Sequence, residues 1–182
     1  MIKFFIYYMN GGYFLIKDIQ DSVALFGGSF DPPHFGHKEV VRVALDILNI
    51  DKLIIVPAFL NPFKTNSHFL PKERLDMSKD IFEQFDRVIV SNYEIKQQKS
   101  ITTEQTLRYF QNRYRVQYLI IGADNLNTID KWYNFTWLNS QITWVVATRG
   151  GYELDTSKLR DFIIIKVDAN ISSTEIRNKK GK

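Results

Sequence analysis

Short apolar runs alternate with longer amphipathic ones along most of the chain. Val23-Ala24-Leu25-Phe26, Leu53-Ile54-Ile55-Val56, Val88-Ile89-Val90, Tyr118-Leu119-Ile120-Ile121, Ile142 to Ala147 and Phe162 to Val167 are apolar segments of strand length. Runs with little alternation are what parallel strands covered on both faces require. Between them, Val40, Val41, Ala44, Leu45 and Leu48 recur at helical spacing from Lys38 to near Asn49. Met77, Ile81 and Phe85 repeat in the same way after Pro71, and Leu107, Phe110 and Tyr114 after Thr102. Pro71 suits a first helical turn, and Thr102 with Gln105 makes a capping box. Ser172 with Glu175 makes a second box, which predicts a final helix. The alternation predicts an α/β fold, a Rossmann-like doubly wound parallel sheet with helices on both faces and right-handed crossovers. Ligands of such sheets bind beyond the carboxyl ends of the strands, near the reversal of strand order. The segments that break the pattern all follow strands: 26–37, 61–64, 122–132, Arg149 and 172–177. That placement predicts one shared site.

The chain has 182 residues, enough for a single domain, here expected over 22–182. Residues 1–21 form an arm whose role the sequence leaves open: an extra strand, an interface arm, or residues upstream of a natural start. Its apolar stretch 4–9 is interrupted by Gly11, Gly12 and Lys17, too soon for a spanning helix of about 20 residues. No small-residue cleavage site follows, which argues against a secretory signal. There is no cysteine, so a disulfide scaffold is excluded and a cytoplasmic address is expected. The net charge of +4 is spread out, apart from Arg177, Lys179, Lys180 and Lys182. This predicts attraction for small anions rather than a nucleic-acid or membrane partner. A homo-oligomer is left open.

The chemistry concentrates in Phe26-Gly-Gly-Ser-Phe-Asp-Pro-Pro-His34-Phe-Gly-His37, between the first parallel strand and its helix. Glycine lets backbone approach a ligand and tolerates positive φ. The helix start is expected to offer unpaired N–H groups and a positive dipole end to an anion. His34 and His37, three apart, can both reach that space and donate to phosphate oxygens. No P-loop and no G-x-G-x-x-G is present. A zinc site lacks cysteine, an H-E-x-x-H helix and an evident third ligand, so no protein-held metal is expected. In 171–177, Ile-Ser-Ser-Thr-Glu-Ile-Arg, a second helix start with Arg177 one turn inside could meet the same phosphates.

His34-Phe-Gly-His37 resembles the H-x-G-H signature of the nucleotidyltransferase superfamily. Together with 122–126, Lys131-Trp132-Tyr133 and 172–177, it resembles the bacterial nicotinate-nucleotide adenylyltransferases from about Val23 to Arg177. The resemblance implies a Rossmann-like nucleotidyltransferase fold, with ATP and nicotinate mononucleotide as partners and Mg²⁺ accompanying ATP. The products would be deamido-NAD and pyrophosphate, a step of NAD biosynthesis. It implies ATP contacts from Gly27, Gly28, Phe30, His34, His37, Gly122, Asp124, Ser172, Ser173, Thr174 and Arg177, with the two histidines catalytic. It implies mononucleotide contacts from Lys64, Thr102, Trp132, Tyr133 and Arg149, with Trp132 stacking on the pyridine ring. Thr102 and the Tyr133 backbone would receive the nicotinate carboxylate. N–H donors at a helix start suit a carboxylate, and a carboxamide would leave a donor unpaired there at a cost of roughly 1–3 kcal/mol. The chain departs from the family at Phe63, where many members have histidine, and at Gly150, where proline is usual. It also stops soon after Arg177, where the family typically carries further helix. Rival readings are an adenylyl- or cytidylyltransferase using another phosphorylated acceptor, and a nucleotide-binding module without turnover.

Overall fold

The computed structural model describes residues 20–149 and 154–167, together with the backbone of two strands before them. These two, β1 (Phe5–Met9) and β2 (Gly12–Ile16), pair antiparallel as a sheet of their own. β3 (Ser22–Gly28) is the first strand of the main sheet and leads into α1 (Phe35–Ile47). β4 (Lys52–Pro57), α2 (Pro71–Phe82), β5 (Val88–Val90), α3 (Tyr93–Gln97) and α4 (Thr103–Gln111) complete the first half. The second half runs through β6 (Arg115–Gly122), a 3₁₀ helix (Ala123–Lys131), α5 (Phe135–Gln141), β7 (Thr143–Thr148) and β8 (Phe162–Lys166). Six strands pair in the order β5-β4-β3-β6-β7-β8, every neighbouring pair parallel. This is the predicted α/β sheet, and its order reverses between β3 and β6, where a ligand crevice is expected.

The central apolar strands β3, β4 and β7 bury both faces, as the pattern required. Ile89 on β5 and Phe162 and Ile164 on β8 are exposed because those strands form the sheet edges. Ala24 and Phe26 pack with Val41, Ala44, Leu45 and Phe82 on one side. Val23 and Leu25 pack with Leu107, Ile129, Leu138 and Trp144 on the other. α1 begins at Phe35, earlier than Lys38, because His34 caps it. α3, the 3₁₀ helix and α5 were not anticipated; each is short and carries too few apolar repeats for a periodicity to stand out. No helix of the described residues is long and apolar enough to cross a membrane. The helix expected after Ser172 lies outside the described residues.

Arg74, on α2, ties the loops beneath the strand ends together. Although its side chain is 1% exposed, its guanidinium donates to the carbonyls of Ser29 at 2.6 Å, Ala58 at 2.7 Å, Phe59 at 2.7 Å and Phe69 at 3.2 Å. The buried Asp31 carboxylate accepts the Phe69 and His68 amides at 2.8 Å. These bonds fix the loop after β4 against the loop after β3.

Candidate active site

A cleft of about 920 Å³ opens over the carboxyl ends of β3, β6 and β7. Gly27, Gly28, Phe30, His34, His37, Lys64, Thr102, Gly122, Asp124, Trp132, Tyr133 and Arg149 all line it. The structure thus brings together every predicted site residue that it describes. Ser172, Ser173, Thr174 and Arg177 fall outside the described residues.

The two histidines orient each other. Gly36 N–H donates to His34 Nδ1 at 3.1 Å, and His34 N–H donates to His37 Nδ1 at 3.2 Å. The rings lie 3.9 Å apart, tilted by 34°. With Nδ1 an acceptor, the neutral His37 ring carries its proton on Nε2. The anticipated supply of free backbone amides at the start of α1 is therefore reduced: His34 takes the Gly36 amide, and His34 carbonyl takes those of His37 and Lys38. The donors that α1 presents are chiefly imidazole groups.

The His37 ring is neutral through the physiological range. Burial, then the neighbouring His34 and the positive charge of Arg149, push its pKa down from 6.5 to about 3. The unfolded chain takes up this proton near pH 6.5, while the folded chain resists until about pH 3. The resulting destabilisation is absent above pH 6.5 and grows as pH falls toward 3. Chemical denaturation between pH 7 and pH 4 should show that destabilisation in the wild type, and His37→Gln should flatten part of it.

Phe30 forms the floor of the site. Its backbone has φ 45°, and its ring packs edge-on against Phe26, His37 and Phe82. Positive φ thus falls on Phe30, whereas Gly27 serves by lacking a side chain: a Cβ there would meet none of the described residues within 4 Å and would project into the cleft.

At the far end, Thr102 caps α4 and closes a box with Gln105, as predicted. The Thr103 and Glu104 amides, in the first turn, lack an intrahelical acceptor. Of the clustered aromatics, Phe135 packs on Trp144, and Trp137 lies beneath Arg108 at 3.9 Å. Trp132 and Tyr133 are the two that reach the cleft. Trp132 is half-buried with its edge against Trp144, and its Nε1–H meets no acceptor among the described residues. Tyr133 is exposed. Asn125 Nδ2 bonds the Gly122 carbonyl at 3.0 Å and holds the turn that carries Asp124. Glu94 also lines the cleft and was missed, since one acid on a short polar segment carries no sequence signal.

A doubly wound sheet with paired imidazoles at its switch point and an arginine lining the same cleft defines a phosphate-handling α/β protein. The Cytidylyltransferase-like family matches residues 25–179. A probable nicotinate-nucleotide adenylyltransferase of Sulfurovum sp. (strain NBC37-1) is 50% identical over 166 residues, covering 91% of this chain and 88% of that one. Another, from Aliarcobacter butzleri (strain RM4018), is 44% identical over 159 residues, with 86% of each covered. The chain belongs to the nicotinate-nucleotide adenylyltransferases of the Cytidylyltransferase-like family. The fold is also that of the Plasmodium falciparum nicotinic acid mononucleotide adenylyltransferase complexed with NaAD, at 20% identity and a TM-score of 0.71, covering 86% of this chain and 82% of the other.

Proposed function

We propose that the chain joins AMP from ATP to nicotinate mononucleotide, giving deamido-NAD and pyrophosphate, with residues 22–182 acting as one nucleotidyltransferase domain. The observation that carries this reading is the mutually oriented His34–His37 pair facing Arg149 in a cleft whose other end holds Trp132 and the start of α4. The mononucleotide's phosphate is already ionised and attacks the α-phosphorus of ATP directly, so no covalent enzyme intermediate is needed. The protein's task is to position both substrates and stabilise phosphate charge. His37 donates Nε2–H to the transferred phosphate, His34 to neighbouring oxygens, and Arg149 adds positive charge. Gly122 and Asp124 meet the adenosine ribose. Ser172, Ser173, Thr174 and Arg177 complete the triphosphate contacts in this proposal, and Lys64 meets phosphate at the rim. Trp132 supports the pyridine ring, and Thr102 with the Tyr133 backbone receives its carboxylate.

Among the described residues, no three metal-ligating side chains converge. In this proposal a divalent cation, Mg²⁺, accompanies the triphosphate, held by its oxygens and water. Bound there, it would neutralise charge on the phosphates. An ATP-dependent reaction and a cysteine-free chain suit a cytoplasmic address.

Mixing the protein with Mg-ATP and nicotinate mononucleotide, then weighing the products, tests the reading: deamido-NAD and pyrophosphate are expected. No dinucleotide, or one formed only with another acceptor, overturns it. Gly27→Ala separates ligand from fold. The methyl meets no atom of the described residues within 4 Å, so the melting temperature should stay within a degree or so or rise. Crowding of the triphosphate should raise the KM for ATP roughly tenfold.

A further inference from the structure

Glu94 is a buried carboxyl that none of these roles uses. It lies on α3, 7% exposed, and lines the cleft with Ile101, Thr102 and Thr103. Its Oε1 accepts the hydroxyl of Thr106 at 2.6 Å, and Thr106 is itself buried. Thr103 and Thr106 are three apart and share a helix face, so this carboxyl reaches the α4 turn whose first amides lack intrahelical acceptors. Among the described residues no donor meets Glu94 Oε2, yet that atom is not sealed from solvent.

The charges around it oppose one another. Burial raises the Glu94 pKa to about 7, outweighing the Thr106 hydroxyl and then Arg74, from α2, which both favour the ionised form. Tyr93 beside it, stacked on Tyr109 of α4, is pushed upward in pKa by burial, then by Glu94 and Tyr109. Near neutral pH, Oε2 can therefore offer the cleft either a hydrogen-bond donor or a negative charge.

We propose that Glu94 is a positioning and specificity-determining residue: through Thr106 it fixes the first turn of α4, and through Oε2 it donates a hydrogen bond that favours a carboxylate over a carboxamide docked there. The inference rests on the acceptor proposed above. Protonated, the carboxyl donates to a ligand carboxylate. Ionised, it repels that carboxylate and instead accepts from a carboxamide NH₂.

The test is the ratio of kcat/KM for nicotinate mononucleotide to that for nicotinamide mononucleotide, measured from pH 6 to pH 8. Both substrates carry the same phosphate, so its titration and that of ATP cancel in the ratio. In the wild type, the ratio should fall at least about tenfold, which the protonated fraction of a group titrating near 7 gives alone, and toward roughly a hundredfold as the ionised form gains the carboxamide. Glu94→Gln keeps an acceptor for Thr106 and should hold the ratio constant within about twofold. Thr106→Val removes a bond that favours ionisation and should shift the fall to higher pH. A flat wild-type ratio, or an unchanged slope in Glu94→Gln, overturns the inference while leaving the acceptor reading intact. Failure of the wild type to adenylylate either mononucleotide overturns the acceptor reading, and the inference falls with it.

Discussion

With alanine at position 37, kcat should fall by a factor of about 10²–10³, the cost of removing one preorganised donor from a developing phosphate charge. His37 Nδ1 is held by the His34 amide, and its proton is therefore fixed on Nε2. The low pKa keeps the ring neutral, so Nδ1 retains the lone pair that accepts the His34 amide and Nε2–H remains the donor. The variant also leaves the His34 amide without its acceptor, which costs roughly 1–3 kcal/mol of stability. Single-turnover release of pyrophosphate, run below the melting temperature of the variant, separates this loss from catalysis. Turnover within threefold of wild type would remove His37 from the chemistry.

The largest loss of stability is expected from Arg74→Ala. The substitution strips four loop carbonyls of a buried donor and leaves a void between α2 and the strand ends. Leaving a buried acceptor unpaired costs about 1–3 kcal/mol, so removing the donor shared by these carbonyls costs on the order of 3–5 kcal/mol. For a chain of this length that lowers the melting temperature by roughly 10 °C or more. The KM for ATP should rise as well, because Ser29 and Ala58 flank the cleft. Arg74→Lys should recover only part of the stability, since an ammonium cannot span carbonyls from three loop segments. Wild-type stability in Arg74→Ala would show that the loops hold themselves.

What the sequence made legible was whatever depends on local pattern. Runs such as Leu53-Ile54-Ile55-Val56 announce a strand buried on both faces, and the glycine–histidine loop follows such a strand. The Thr102–Gln105 box is likewise local, its partners three residues apart. Arg74 was illegible because its worth lies in carbonyls from Ser29 to Phe69, and it sits in a helix whose neighbours Lys72 and Glu73 are exposed. Glu94 was illegible for the same reason: Thr106, on another helix, defines it. The aromatic cluster could be narrowed only by packing, which turns Trp137 and Phe135 aside. The mutual capping of the histidines was also hidden, since spacing alone does not say which nitrogen each ring commits.

The pairing of β3 with β6 joins Val23 to Val116, across the whole first half of the chain. Contacts of such separation are slow to form, because a long loop must close before they repay its entropy. Gly27 and Gly122, on these two strands, both border the cleft. Substrate can therefore be held only after this seam has closed. Nucleotide should slow unfolding of the finished protein and do little to hasten its assembly.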